Sequence, residues 1–245
     1  FGIRYAIPPV RQLWQSAGTA KADALVISLR AGPPDIHGIS VAANCQQILS
    51  NGKSMGSGVY LIDPDGGATA NAFLSYCDMD TDGGGWTMAY KKSAGVAGDP
   101  YGSWLIGSFH AHDEDLLDKV PADRDYANPS VIRAWSTFSE ARVEIIVGQT
   151  ATRSLLFSTL GTTSTDLFVR SKLIQSPWSD LDSAGQNIFS MAGDTSNRRS
   201  FFINRSYGGC SNDAGWLLAK GPPAGCGWAA GIPRRNSSSR SRTRL

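Results

Sequence analysis

Cys45-Gln46-Gln47-Ile48-Leu49-Ser50-Asn51-Gly52-Lys53-Ser54, then Gly58-Val59-Tyr60-Leu61-Ile62-Asp63-Pro64-Asp65-Gly66, then Tyr76-Cys77-Asp78-Met79-Asp80-Thr81-Asp82-Gly83-Gly84-Gly85-Trp86-Thr87 form the most ordered run of the sequence. Cys45 to Leu49 reads as one or two helical turns stopped by Asn51-Gly52. Val59 to Ile62 reads as a strand. Asp63-Pro64-Asp65-Gly66-Gly67 is a turn, because proline presets φ and glycine accepts positive φ. Ala72 to Cys77 returns as the second strand of a hairpin, and another glycine-rich turn leads into a third strand, Trp86 to Tyr90.

Outward from this core, Val143–Val147 and Ser154–Phe157 read as further strands, and Asp115–Val120 and Pro129–Phe138 as short helices. The 27 glycines and 12 prolines in 245 residues point to many turns and few long helices. The fold class expected is α+β, with short antiparallel sheets, short helices and long Gly-rich loops. Residues 1–42 are punctuated by Pro8-Pro9 and Pro33-Pro34, and Ala24 to Leu29 reads as one short buried strand. This segment is expected to be a linker or assembly segment, the alternative being an edge strand of the main fold. The expected division is 1–42, a main domain at 43–232, and an Arg/Ser-rich tail at 233–245.

Apolar content of 41% and charged content of 18% place the chain with folded proteins. No run approaches the roughly 20 apolar residues of a membrane span. Phe1 opens no signal peptide, as expected of a mature chain or a fragment. The net charge of +2 is smaller than the charge of Arg234, Arg235, Arg240, Arg242 and Arg244 alone. The body is therefore mildly acidic, and no basic face for nucleic acid is expected.

Several motifs imitate known chemistry. Asp78-Met79-Asp80-Thr81-Asp82-Gly83 opens like an EF-hand loop, but Ala89 stands where the closing glutamate belongs. Gly52-Lys53-Ser54 lacks the leading glycine of a phosphate loop. His110 and His112, two apart on an extended segment, share a face beside Asp113, Glu114 and Asp115. They carry a minor alternative, a metal-dependent hydrolase, against a plain solvated loop. No G-x-S-x-G elbow appears and three histidines offer few triads, so no enzyme is expected. Asn204 and Asn236 head N-glycosylation sequons. The four cysteines allow three connectivities. Two sequence-local bridges, Cys45 with Cys77 and Cys210 with Cys226, are favoured over zinc, which implies an oxidising compartment.

The Cys45–Trp86 run closely resembles the opening of fibrinogen-related domains, the family of fibrinogen chains, ficolins, tachylectins and angiopoietins. The resemblance implies a fibrinogen C-terminal-like fold in which the acidic turn is a structural connector beside a buried Trp86. A weaker likeness runs on through Ile188-Phe189-Ser190, Gly193-Asp194 and the Cys210/Cys226 pair, which looks like the family's second disulfide. Many members bind Ca2+ just before that disulfide and recognise glycans or acetylated groups beside it. The resemblance thus implies Asp194 as a carboxylate for a calcium ion, and Asp180 and Asp182 are further candidate metal carboxylates. Asp213, Trp216 and Trp228 are the candidate glycan contacts, with a core position the alternative for Trp216. Gly225 and Gly227 replace the family's lysine and histidine, and the insert Thr195–Gly209 is longer than in relatives. The implied function is an extracellular, secreted, non-catalytic recognition module, lectin-like and multivalent as a homo-oligomer. The alternative is an assembly domain of an extracellular fibre whose partners are other extracellular proteins.

Overall fold

The chain opens with β1 (Gly2–Ala6) and β2 (Thr19–Ala22), which pair antiparallel. This description comes from a computed structural model covering residues 2–6, 19–31, 42–65, 71–107, 116–206, 210, 212–221 and 226. β3 (Ala24–Ala31) follows at once. The helix read at Cys45 is α1 (Cys45–Ser50), capped by Asn44, whose Oδ1 accepts the Gln47 amide at 3.0 Å. β4 (Gly58–Ile62) and β5 (Phe73–Asp78) form the expected hairpin. β6 (Trp86–Ser93) pairs with the end of β5. The Cys45–Cys77 disulfide ties α1 to β5.

α2 (Pro100–Ile106) starts with Asp99 as its cap and Pro100 in its first turn, and ends at Gly107 in the left-handed region. β7 (Tyr126–Ala127) and α3 (Pro129–Arg133) follow, the latter continued by a 3-10 turn at Trp135–Thr137. The helix read at Pro129–Phe138 is therefore present in two pieces. Of the helix read at Asp115–Val120, Asp115 lies outside the described residues, Leu116 is in a 3-10 turn and residues 117–120 form bends, where Lys91 from β6 donates to the carbonyls of Asp118 and Val120. β8 (Phe138–Val147), β9 (Thr150–Ser158), β10 (Leu173–Gln175), β11 (Ile188–Ser190), β12 (Arg199–Ser206) and β13 (Ala214–Lys220) complete the strands.

Two sheets result. The larger has the order β10-β9-β8-β3-β6-β5-β4, with β7 beside β6; the smaller has the order β11-β12-β13-β1-β2. Within 1–42, read as a linker or assembly segment with an edge strand as the alternative, β3 instead lies at the centre of the larger sheet between β6 and β8. The reason lies in its composition. Leu25, Ile27 and Leu29 enter the main core with Val143, Ile145 and Trp104, while Ala24 and Val26 pack on the other face with Met88 and Ile146. A strand covered on both faces reads as a continuous apolar run, and burial of both faces demands neighbours on each side. β1 likewise pairs with β13 of the same chain, so these strands are used within the fold.

Candidate functional site

The acidic turn after β5 is held by Arg142 from β8 and by Lys119 from the bends at 117–120. Asp78 accepts from Lys119 Nζ at 2.5 Å, from Arg142 Nη2 at 2.5 Å and from the amides of Asp80 and Thr81. Burial alone would raise the Asp78 pKa; the Lys119 hydrogen bond and the Thr81 amide outweigh it and hold the carboxyl well below its usual range. Trp86 is buried between two guanidinium groups, Arg30 at 4.2 Å and Arg142 at 4.5 Å from its ring centre. Gly84 and Gly85 have φ of 75° and 80°. A Cβ on Gly84 would lie 2.1 Å from the Met79 carbonyl, so the turn requires glycine there. Asp78, the buried acid of this turn, is paired with the protein's own Lys119 and Arg142, as befits a connector.

A different surface forms where α2 meets the smaller sheet. Asp194 closes the β11–β12 connection. Its backbone exchanges hydrogen bonds with Arg199 at 2.8 and 2.9 Å, and its carboxylate accepts from the amides of Ser196 and Asn197 and from Asn197 Nδ2. Opposite it, Asp99 Oδ2 accepts the Gly102 amide at 2.6 Å while Oδ1 accepts from Ser200 Oγ at 3.1 Å. Between these walls lies a cleft of about 400 Å³ lined by Asp99, Ala192, Thr195, Arg198 and Ser200. Behind it, buried Arg199 donates to Asp213 Oδ2 at 2.8 Å and to Cys226 Sγ at 3.3 Å. The Cys210–Cys226 disulfide therefore lies against this ion pair. Burial lowers the Lys220 pKa, and the nearby Arg199 and Arg198 lower it further. The cleft thus offers two hydroxyl-bearing residues, an arginine and an aspartate beside Ala192, a set suited to a polyhydroxylated ligand.

Residues 41–104 match the family described as fibrinogen beta and gamma chains, C-terminal globular domain. Over these residues the chain is similar to fibrinogen-related domains. Fibrinogen-like protein A of Apostichopus parvimensis is 41% identical to the domain over 70 residues, 28% of this chain and 23% of that protein. Techylectin-5A of Tachypleus tridentatus is 44% identical over 57 residues, covering 23% of this chain and 18% of its own. Ficolin-3 of Homo sapiens is 36% identical over 61 residues, 25% of this chain and 19% of its own. The matched segment spans about a quarter or less of each of these relatives. No solved structure matches the chain. The two disulfides and the mostly antiparallel sheets agree with the fold expected of the domain.

The sequence-derived site residues of the domain scatter. Trp216 is buried, and its indole N–H donates to Asp180 Oδ1 at 2.9 Å, which makes it a core residue rather than a stacking platform. Asp213 is buried and spent on Arg199. Asp182 pairs at the surface with Arg170 at 2.8 Å. Asp194 is folded into its own turn, and Asp180 holds Trp216. These three carboxylates do not fit a calcium ion, which needs six to eight converging oxygens. Among the described residues no three Asp, Glu, His or Cys side chains converge as a metal site. Asn204 is fully buried, its Oδ1 accepting the Ile188 amide at 2.8 Å and its Nδ2 donating to the Ser206 carbonyl, so a glycan on Nδ2 has no room unless the side chain leaves this position. Trp228, Asn236, His110 and His112 lie outside the described residues. Sequence reasoning missed Asp99, Thr195, Arg198 and Ser200. The Asp99-Pro100 helix-start signature was the one available signal for them.

Proposed function

We propose that this domain is an extracellular, non-catalytic recognition module that binds glycans in the cleft between the start of α2 and the β11–β12 turn. The observation that carries this reading is the cleft itself, where Thr195, Ser200, Asp99 and Arg198 surround one small volume. Hydroxyl, carboxylate and guanidinium groups are the donors and acceptors that match sugar hydroxyls. The likeness to a ficolin and a techylectin over the N-terminal part supports a lectin-like role. The two disulfides suit an oxidising, secreted setting. No described helix is long and apolar enough to cross a membrane.

A cleft this small holds one or two saccharide units, so useful affinity comes from several copies presented together in a homo-oligomer. The reading routes no contact through calcium, because Asp180, Asp182 and Asp194 are committed elsewhere. Its test is a comparison of the wild-type chain with Thr195→Tyr by saturation-transfer NMR against a panel of mono- and disaccharides. Signals from saccharide protons in the wild type and their loss in the variant are expected. Equal signals in both chains would place binding away from this cleft.

A further inference from the structure

We infer that Cys210 is a site of thiol–disulfide exchange, at which a low-molecular-weight thiol attacks the Cys210 sulfur and Cys226 leaves as a thiolate held by Arg199. This chemistry is separate from glycan recognition and does not rest on it. Three observations carry it.

The first is the unequal exposure of the two bridged residues. Cys210 is exposed, whereas Cys226 keeps only 4% of its surface. Exchange requires a thiolate to reach one sulfur while the other departs, and access decides which is which. Here access directs attack to Cys210 and makes Cys226 the leaving group.

The second is what surrounds that leaving group. Buried Arg199 donates from Nη2 to Cys226 Sγ at 3.3 Å. A bridged sulfur is a weak acceptor, so this contact adds little to the intact disulfide. Once the bond breaks, the same N–H meets a full negative charge, and charge-assisted bonds are about twice as strong as neutral ones. A group that stabilises the departing thiolate more than the intact bridge speeds the step. Asp213 acts in the opposite sense, with Oδ2 3.9 Å from the sulfur. Arg199 Nη1 engages that carboxylate at 2.8 Å, so one planar guanidinium holds the acid with one nitrogen and the sulfur with the other. The cation is the nearer of the two charges to the sulfur.

The third is the contrast with the other bridge. Cys45 and Cys77 are both fully buried in the main core, where a thiol reaches neither sulfur unless the fold opens. The chain thus carries one inert disulfide and one that exchanges.

The step balances. The incoming thiol loses its proton to solvent, and its thiolate forms a new S–S bond to Cys210. The Cys210–Cys226 bond breaks, and its electron pair stays on Cys226. The thiol is oxidised into a mixed disulfide, and Cys226 is reduced.

The test incubates the native full chain with excess reduced glutathione, quenches it with an alkylating reagent and maps the products by peptide mass spectrometry. The expected product carries glutathione on Cys210 and the alkyl label on Cys226, with Cys45–Cys77 intact. At one pH and thiol concentration, Arg199→Gln should slow its formation about tenfold, the scale of one charge-assisted hydrogen bond. Asp213→Asn removes the opposing carboxylate and keeps the guanidinium, so it should speed the reaction by a similar factor. Loosened packing would speed exchange in both variants, so opposite signs separate a chemical role for Arg199 from a structural one. Should Arg199→Gln fail to fold, slower or unchanged exchange in Asp213→Asn overturns the inference by itself. Glutathione on Cys226, adducts on Cys45 or Cys77 at the same rate, variants that shift in the same direction, or exchange no faster than global unfolding each overturn it too. Saccharide binding is read separately by NMR, so either reading can fail while the other stands.

Discussion

Asp78→Ala is the substitution that most directly probes how the acidic turn is held. The wild-type carboxylate accepts from Lys119, Arg142 and the amides of Asp80 and Thr81, with Ser57 Oγ at 3.4 Å. Arg142 has only 1% of its side chain exposed, and it lies over Trp86. After the substitution its nearest acids are Asp82 at 3.4 Å and Glu144 at 3.6 Å, neither at the wild-type distance of 2.5 Å. Removing one partner of a buried ion pair costs about 3–5 kcal/mol, because the remaining charge stays desolvated. For a chain of this size each kcal/mol moves the melting point by about 2–4 °C, so a drop of about 6–20 °C is expected. Calorimetry and urea denaturation on the same preparations measure it. Asp78→Asn should fall between the two, since its amide oxygen still accepts the turn amides while the charge is gone. A loss below about 1 kcal/mol for Asp78→Ala would refute the view that this network holds the turn.

Three further outcomes follow from the same structure. A chain beginning at Ala43 lacks β3, whose Leu25, Val26, Ile27 and Leu29 are fully buried and are worth about 1.5–3 kcal/mol each, comparable in sum to a whole domain's stability. It should show no cooperative unfolding transition by circular dichroism, and a sharp transition would contradict the central placement of β3. Asp78 is held below its ordinary pKa in the folded chain, so its stabilisation is complete above about pH 4 and is lost as pH falls further toward the folded value. Urea midpoints between pH 5 and pH 2 should fall, and they should fall less in Asp78→Asn. Chelation with EDTA should leave saccharide binding unchanged in NMR, since no contact in the cleft is assigned to a metal; loss of binding on chelation would contradict the assignment of the cleft.

The hairpin and its neighbours were legible in the sequence because local chemistry decides them: Asn44 caps, Asn51-Gly52 stops, and Gly84 and Gly85 admit backbone that side-chain-bearing residues rarely enter. β3 was visible as a strand but not as a central one. Its partners begin at Trp86 and Phe138, and nothing within Ala24–Leu29 names them. The site was least legible. Ser200 and Asp99 meet across 101 positions, and their pairing follows from packing α2 against β12. Trp216 and Asp213 drew attention as an aromatic and a carboxylate close in sequence, yet burial turns the one into core and the other into the counter-ion of Arg199.

Glycan recognition at the cleft is tested most directly by backbone amide NMR of the isotope-labelled chain titrated with sialyllactose. The account predicts that the amides of Asp99, Ala192, Thr195, Arg198 and Ser200 shift together on one saturation curve, while those around Asp78 and Trp86 stay fixed. Shifts confined to the acidic turn, or none at millimolar saccharide, would contradict it.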